Sequence, residues 1–487
     1  MSDTGDTMPA KQSPFRIFFG KFDRELMGLR ADQRGNIAVM MAFLLPVLVG
    51  FLGLGFEATE WYLQTRYMQN AADAAAIAAA TNGSSSYIAE ARAVTAKYGF
   101  VDDTNNVTVA PTVVPANTGL CPSSLYNDNC YQVQITSMVP LWLSQVVGYA
   151  GDTTVGGVKE KILSSTAVAQ QNTIKQVICL LALSPIGTAL RTNGAPNSNF
   201  TGCTVMSDAA AGCNGSNLQA NYGLAHTNNS GCGNKQKSNI RIVPDPWAYM
   251  APNIPQNTCS LPYPQEPGAL PASNQWKGTL NIHASDTLTG AGSGTTYPGL
   301  MFCGDVQLTG DTVIDTPDNT TGAVIVIENG QLDLNSYNLR TSNGSAVTIL
   351  FSGTSGSYSH IPSDTSSHGS TLNIQAPSSS STAPFPGMAI YQDPNLPAGP
   401  GVDLTYNGNR PVWDISGGVY LPNSNVQISG DVAQSSNGAD CFVMVASTIL
   451  INGTSNIYTQ SPAGAGCKQG GTQMPIAYIP TRVQLVY

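Results

Sequence analysis

An uncharged stretch of twenty residues constrains what this chain can fold into more than any other feature of its sequence. Residues 37–56 read IAVMMAFLLPVLVGFLGLGF. At ~1.5 Å per residue, a helix of this length crosses the ~30 Å hydrocarbon core of a bilayer. A buried core helix and a cleaved signal peptide are the alternatives, but a signal peptide has a shorter apolar core and a small-residue cleavage site. The stretch therefore predicts a single-pass transmembrane helix that stays attached to the chain.

The charges on either side of this stretch predict its orientation. Glu57 and Glu60 follow it closely. Six basic residues precede it, namely Lys11, Arg16, Lys21, Arg24, Arg30 and Arg34. Lys and Arg accumulate in cytoplasmic segments. We therefore expect residues 1–36 to form a cytoplasmic leader and the rest of the chain to lie in the periplasm or outside the cell.

The cysteines support the same orientation. All ten follow the apolar stretch: Cys121, Cys130, Cys179, Cys203, Cys213, Cys232, Cys259, Cys303, Cys441 and Cys467. Disulfides persist in oxidising compartments, and an even number of cysteines suits them. The absence of a Cys-x-x-Cys motif argues against zinc. Cys121 and Cys130 are predicted to form a local bridge, and the other pairings stay open.

Composition excludes several classes of protein. Charged residues make up 10% of the chain, against ~25% in typical domains, and the net charge is -9. Such a chain is neither a Glu/Lys-rich coiled coil nor a nucleic-acid-binding protein, because it has no dense basic tract to neutralise phosphates. With 42% hydrophobic residues, 49 Gly and 31 Pro, it should instead be folded, turn-rich and largely β.

Residues 57–172 have the pattern of a pilin-like helix with a small α+β module. Residues 57–80 are rich in Ala and lack Gly and Pro, so the helix should continue past the membrane to Asn82-Gly83. A second helix is predicted at residues 87–98, and a short amphipathic helix at residues 141–149. Alternating apolar residues predict strands at residues 107–109, 131–135, 154–155 and 167–169.

Several motifs occur in the order found at the start of TadE/TadG-like Flp pilus-assembly proteins. They are RGNIA at residues 34–38, the apolar run with Pro46, WY at residues 61–62 and QNAADAAA at residues 69–76. Over residues 30–80 the chain resembles this family. A cut after Gly35 would place Met40 where prepilin-type substrates carry Glu, which favours the TadG-like form. The resemblance implies an inner-membrane component of the machinery that builds tight-adherence pili.

The remaining residues, 173–487, predict an all-β body. Short apolar alternations recur at Ile282, Val306, Val326, Ile349 and Ile374, and again at Val426 and Ile449, in steps of 20 to 25 residues. Such a period favours a parallel β-solenoid with a continuous core and outer ladders of Asn, Ser and Thr. A β-sandwich with coincidental spacing is the alternative. Residues 179–185, 243–250, 302–314 and 417–430 also resemble TadG-like proteins without a von Willebrand A domain.

No catalytic, cofactor-binding or metal-binding residue is predicted. Asp364-x-Ser366-x-His368 departs from the von Willebrand A metal motif at its last position, and the common nucleotide, zinc-protease and hydrolase motifs do not occur. All four histidines are interpreted as surface-turn residues: His226, His283, His360 and His368. Five carboxylates could form the acid pair of a polysaccharide-cleaving enzyme, but solvated turn positions are the preferred interpretation: Asp305, Asp311, Asp315, Glu328 and Asp333.

Together with its anchor and exported body, the resemblance implies that the chain is a structural or assembly component of a Flp/Tad-type pilus. It is expected to be a non-enzymatic protein of the bacterial inner membrane, without a cofactor and with a disulfide-containing exported body. Its expected partners are the membrane and other pilus-assembly proteins, with a glycan or an outer-membrane component as further candidates. The alternative is a membrane-anchored β-helical surface protein that binds or cleaves carbohydrate.

Overall fold

The structure is a computed structural model, and its chain forms two compact units. The first unit comprises the chain up to Asn172 together with Arg482–Tyr487, and the second comprises Thr173–Thr481. The described residues are 35–83, 86–122, 129–194, 198–214, 218–364, 369–378, 383–406, 412–429, 442–453 and 474–487.

The first unit is built on one long helix, α1, over Gly35–Asn82. After Gly55 it contains neither Gly nor Pro, so nothing in its sequence interrupts the helix there. The helix ends where Gly83 adopts a φ of +56° and its N–H donates to the carbonyl oxygen of Ala79 at 2.9 Å. This left-handed cap favours glycine. The predicted continuation of the helix beyond residue 56 is confirmed.

A second helix and a small antiparallel sheet complete this unit. They are α2 (Tyr87–Lys97), β1 (Val107–Val114), β2 (Cys130–Pro140), β3 (Thr153–Val155) and the first part of β4 (Val158–Ala182). β2 lies between β1 and β4, with Ile135 opposite both Val109 and Ser165. The predicted helix and strands between residues 87 and 169 are confirmed. The helix expected at residues 141–149 is reduced to one 3-10 turn, Ser144–Val147.

Small side chains bring α1 close to this sheet. Val109, Val133 and Ile135 form a buried core with the inner face of the helix. That face consists largely of fully buried alanines: Ala71, Ala72, Ala75, Ala76, Ala79 and Ala80. Because interiors are close-packed, a larger side chain on this face would force the helix and the sheet apart.

The second unit consists of short strands joined by turns. After β4, the described strands are β5 (Thr188–Gly194), β6 (Ser198–Ser207), β7 (Ala210–Gly212), β8 (Leu218–Ala225), β9 (Asn229–Ser230), β10 (Lys235–Lys237), β11 (Gln275–Asn281), β12 (Thr287–Thr289), β13 (Thr296–Cys303), β14 (Val306–Asp315), β15 (Ala323–Glu328), β16 (Leu332–Asp333), β17 (Leu339–Thr341), β18 (Val347–Ser352), β19 (Pro362–Ser363), β20 (Thr371–Gln375), β21 (Met388–Gln392), β22 (Leu404–Tyr406), β23 (Val412–Ile428), β24 (Phe442–Gly453) and the first part of β25 (Ile476–Leu485).

Most strands of this unit pair in parallel and form four series, of which the shortest runs β14, β16, β19. In the long series, each strand pairs with the next in the order β13, β15, β18, β21, β23, β24, β4, β6, β8, β10. The second series runs β22, β23, β24, β5, β7, β9. The third joins β11, β14, β17, β20 and β23. β12 pairs antiparallel with β13.

The chain enters the long series at an internal position. Leu181 of β4 lies opposite Val445 of β24, although more than 260 residues separate them in sequence. From β4 the strands lead outward to β10. Residues 238–274 then carry the chain to β11, and the following strands lead back to β24.

This connecting segment covers one face of the long series. Trp247 and Met250 lie in a buried cluster with Val326 and Leu350, whereas Ile325 faces the other core. All six residues of β15 are consequently buried. The expectation of polar ladders on the outside is wrong for this series, because continuous apolar strands are typical of parallel sheets covered on both faces.

Two hydroxyl groups hold the connecting segment in place. Tyr391 Oη donates to the carbonyl oxygen of Trp247 at 3.1 Å, and Tyr420 Oη donates to the Asp245 carboxylate at 2.7 Å. The Trp247 and Tyr420 rings also meet edge to face, with centroids 5.9 Å apart. Aromatic side chains thus combine apolar burial with specific polar contacts here.

The predicted repeat gives the observed register for one pair of residues and the wrong register for the other pairs. Val426 lies opposite Ile449, as the spacing predicts. Val326 lies opposite Leu350 rather than Ile349. Ile282 does not pair with Val306, because its N–H donates to the carbonyl oxygen of Asp315 instead. Turns of unequal length separate the strands, so a single period cannot fix the register.

Four disulfide bonds lie within the described residues. Cys121–Cys130 confirms the predicted local bridge. The other three bridges are Cys179–Cys203, Cys213–Cys232 and Cys259–Cys303. The first of these links the neighbouring strands β4 and β6, and the last ties the connecting segment to β13. Cys441 and Cys467 lie outside the described residues.

Candidate functional site

The first half of α1 presents apolar side chains to its surroundings on all sides. Phe51 is 71% exposed and Phe56 is 81% exposed. The most apolar window of the helix has a mean hydropathy of 2.6, and none of it is buried in the protein. In the described part of the chain, this helix alone is long and apolar enough to cross a membrane. Since so large an apolar surface is unfavourable in water, it is the candidate functional surface.

Glu57 stands where the apolar part of α1 ends, and its carboxylate is buried at 4% exposure. Oε1 accepts the N–H of Trp142 at 3.0 Å and the hydroxyl of Ser144 at 2.9 Å. Oε2 accepts the N–H groups of Leu143 at 3.0 Å and of Ser144 at 2.7 Å. These bonds occupy donors at the start of the 3-10 turn, which have no partner within the turn itself.

The hydrogen bonds also determine the charge of Glu57. Burial raises the pKa of its carboxyl group, but the bonds from Trp142, Leu143 and Ser144 together outweigh burial and leave the pKa below its usual value. Glu57 is therefore ionised at neutral pH. The N–H groups of residues 142–144 and the hydroxyl of Ser144 stabilise this negative charge.

Aromatic and charged groups surround Lys161 near the next turn of α1. Its Nζ lies 5.3 Å from the centroid of the Trp61 ring and 5.5 Å from that of Tyr149. It donates to Tyr149 Oη at 3.2 Å and to Asp152 Oδ2 at 3.5 Å. The hydrogen bond between Lys161 and Tyr149 is the main reason why the pKa of Lys161 is raised. A separate hydrogen bond from the Tyr149 hydroxyl is the main reason why the pKa of Asp152 is lowered. Trp and Tyr are enriched at the border between a membrane and water.

Five carboxylates were candidates for the acid pair of a polysaccharide-cleaving enzyme, and three of them are buried. Asp311 and Asp315 are exposed, whereas Asp305, Glu328 and Asp333 are not. The interpretation as solvated turn residues is therefore wrong for these three. No group of three or more His, Cys, Asp or Glu side chains could hold a metal ion in the ranges that the structure describes.

Asp305 and Asp333 accept hydrogen bonds from residues that are distant in sequence. Asp305 accepts the N–H of Glu266 at 2.7 Å and the N–H of Gln331 at 3.0 Å. Asp333 accepts the side-chain amide of Gln307 at 3.2 Å. Burial raises the pKa of Glu328 to about 7, and burial together with the charge of Asp333 raises that of Glu266 to about 7. Asp305 and Asp333 are too buried to reach a polymeric substrate.

The histidines divide into two environments. His226 and His283 are exposed, as predicted. His360 is fully buried, so its interpretation as a surface-turn residue is wrong. Burial lowers its pKa to about 4, which keeps the ring neutral at physiological pH. His368 lies outside the described residues.

A groove crosses the outer face of the second series of strands. It has a volume of about 620 Å³ and a mixed polar and apolar lining that includes Arg191, Asp403 and Ile186. Strand pairing aligns one outward residue from each strand, in the order Thr405, Gln427, Leu450, Arg191, Gly212, Ser230. Arg191 is exposed and is the only charged member of this row.

Sequence reasoning missed both the role of Glu57 and this row. A signal for Glu57 was present, since a carboxylate directly after an apolar run needs compensation. The backbone N–H groups of residues 142–144 and the hydroxyl of Ser144 supply this compensation. No comparable signal existed for the row, because its members are brought together only by the order of the strands.

When the chain is compared with known protein families, one family model matches the segment that forms α1. Residues 35–82 match the Tad family model, which is described as Flp pilus-assembly TadE/G-like. The matched residues coincide with α1. No curated protein and no solved structure matches the chain.

Proposed function

Because α1 matches the TadE/G-like family model, we propose that this chain is a single-pass inner-membrane component of the apparatus that assembles Flp/Tad-type pili. The observation that carries the proposal is the coincidence of the family match with an exposed apolar helix. Residues 37–56 span the bilayer, residues 57–172 form a pilin-like module, and residues 173–487 form the exported body. Other pilus components are its partners.

The distribution of charge and cysteine supports an orientation with the N-terminus in the cytoplasm. The six basic residues before the apolar stretch favour retention on that side. The cysteines all lie on the other side, and four bridges join eight of them. Disulfides of this kind form in the periplasm or outside the cell.

The parallel pairing in the second unit supports a β-solenoid body. Each strand stacks on the next, and one core cluster runs from Cys179 to Ile451. A sandwich would instead consist of antiparallel strands. A stacked body of this kind offers an extended surface for protein contacts and suits a structural role.

A complementation assay tests the proposed role. In a strain that lacks its own copy, Ile349→Asp should abolish surface pili and adherence, because an unpaired charge in the core is costly to bury. Asp311→Asn, at an exposed position, is the matched control and should restore both. In-cell crosslinking of the wild-type chain should recover pilus-assembly proteins. Normal piliation without this chain would refute the proposal.

The groove favours a second candidate function, binding of an extended hydroxyl-rich ligand such as a glycan. Thr405 and Gln427 present hydrogen-bonding groups on adjacent strands of the row, and Arg191 follows on the far side of Leu450. Arg191→Ala should then weaken retention on immobilised acidic polysaccharide without changing piliation. Equal retention of the wild type and Arg191→Ala would refute glycan binding and leave only the assembly role.

A further inference from the structure

Residues 141–147 form a short apolar loop beside the end of the candidate membrane span. Trp142 is 70% exposed, Val146 is 83% exposed and Val147 is 59% exposed. The loop contains no charged residue. Exposed apolar side chains are common singly, but three in one short loop indicate a surface that contacts something apolar.

The position of the loop along α1 identifies that partner. A side chain at Gly53 would collide with Leu143, so the loop packs directly on the helix at this point. Gly53 lies within the uncharged run, three residues before its end at Phe56. At ~1.5 Å per residue, this contact lies ~5 Å inside the apolar zone of the helix. Interfacial elements bury their apolar faces to a similar depth of ~5–10 Å.

Glu57 allows the loop backbone to occupy this depth. Transfer of an N–H group without a hydrogen-bond acceptor into lipid is unfavourable in free energy. The carboxylate accepts the N–H groups of Trp142, Leu143 and Ser144, which would otherwise face the membrane border without partners. The apolar side chains of the loop are thus free to point away from a backbone that is already satisfied.

From this geometry, we propose that residues 141–147 insert into the same membrane leaflet from which α1 emerges, as a second membrane contact of this chain. The inference rests on the proposed function, because it requires that residues 37–56 span a bilayer. Two contacts at one depth would restrict the tilt of α1 and fix the first unit against the membrane surface. Trp142, with an amphipathic ring, suits the headgroup border.

Fluorescence quenching by lipid tests this proposal on the full chain. The protein is reconstituted in phosphatidylcholine vesicles whose acyl chains carry bromine near the headgroups, and its emission is compared with that in unbrominated vesicles. We expect Trp142→Phe to remove at least half of the quenchable emission, because Trp142 is the tryptophan of the loop. Trp247→Phe, at a buried site in the second unit, should remove only unquenched emission.

Two added tryptophans separate the possible outcomes. In the Trp142→Phe background, Val146→Trp should restore quenching, and its exposed position tolerates the larger ring. In the same background, Phe51→Trp reports on the span itself. Quenching at position 51 without quenching at positions 142 and 146 would overturn the loop contact and leave the anchor intact. No quenching at position 51 would overturn the anchor and the loop contact together.

Discussion

Glu57 connects an apolar helix to a neighbouring loop through a single buried carboxylate. A buried charge is costly unless it is hydrogen-bonded, and this one accepts four hydrogen bonds. Charge-assisted bonds of this kind are stronger than those between neutral groups. The residue therefore both ends the apolar zone and fixes residues 142–144.

Replacement of Glu57 should loosen this loop. Glu57→Gln should lower the free energy of unfolding by ~1–3 kcal/mol at pH 7, because a neutral amide oxygen cannot satisfy all four donors. Glu60→Gln is the matched control, since Glu60 is exposed one turn later. Thermal unfolding in detergent measures both changes, and equal stability of the two variants would contradict the assigned role.

The effect of Glu57 should also depend on pH. Its folded pKa lies below the unfolded value, so its stabilisation is present above the unfolded pKa and is lost as the pH falls through the folded one. The difference in stability between the wild type and Glu57→Gln should therefore shrink in acid. A difference that grows below pH 4 would be inconsistent with an ionised Glu57.

Glu328 should show the opposite behaviour. Burial raises its pKa to about 7, so the folded state prefers the neutral acid and loses stability as the pH rises from the unfolded pKa to the folded one. Glu328→Gln should stabilise the protein by up to ~3 kcal/mol at pH 8 and have little effect at pH 4. Denaturant unfolding at both pH values measures this change. An unaltered stability at pH 8 would mean that the carboxylate is well solvated.

Residue environments were the least predictable feature of the second unit. His360 stands among Ser, Gly and Tyr in the sequence, a setting typical of exposed turns, and Asp333 alternates with Leu332 and Leu334, a pattern that places a polar residue on the solvent face of a strand. In the structure both are fully buried, because other strands and turns pack over them. Burial of this kind depends on contacts distant in sequence, and local composition does not record them.

At the scale of elements, α1 illustrates how much local sequence can specify. Its continuation beyond the apolar run follows from Ala-rich composition, and its end follows from Gly83. The strands β1, β2 and β4 follow from alternation. The 3-10 turn at Ser144–Val147 was harder to predict, because its geometry depends on the distant carboxylate of Glu57.

The alanine face of α1 should tolerate little added volume. Ala75→Leu should destabilise the first unit by ~1–3 kcal/mol, because the helix already lies close to the sheet. Ala74→Leu, on the same turn but not fully buried, should cost less. Thermal unfolding followed by circular dichroism compares the two variants. A smaller loss at position 75 than at position 74 would mean that the buried face was assigned incorrectly.

At the scale of the whole molecule, the order of the strands could not be predicted from the sequence. A period near 23 residues predicted stacked coils, and the observed register agrees with that period only at the Val426–Ile449 pair. The period could not reveal that β4 lies beside β24 or that residues 238–274 cover the long series. The spacing of a repeat does not predict at which position in the stack of strands the chain begins.

The four disulfides should be present in the exported protein. Under denaturing conditions without reductant, the eight cysteines of the bridges should resist alkylation, and all eight should react after reduction. Peptide mass spectrometry decides the outcome for each bridge. Removal of any one bridge should cost ~2–4 kcal/mol. Free thiols at these positions in exported material would contradict the pairing.

Topology is the most direct test of the central claim that this is an anchored, exported pilus-assembly component. Alkaline phosphatase fused after Ala80 should be active in cells, and β-galactosidase fused at the same position should be inactive. Leu44→Arg together with Val47→Arg should abolish the phosphatase signal, because each charge at the helix centre costs ~2.5–3.5 kcal/mol on insertion scales. An active β-galactosidase with an inactive phosphatase after Ala80 would contradict the account.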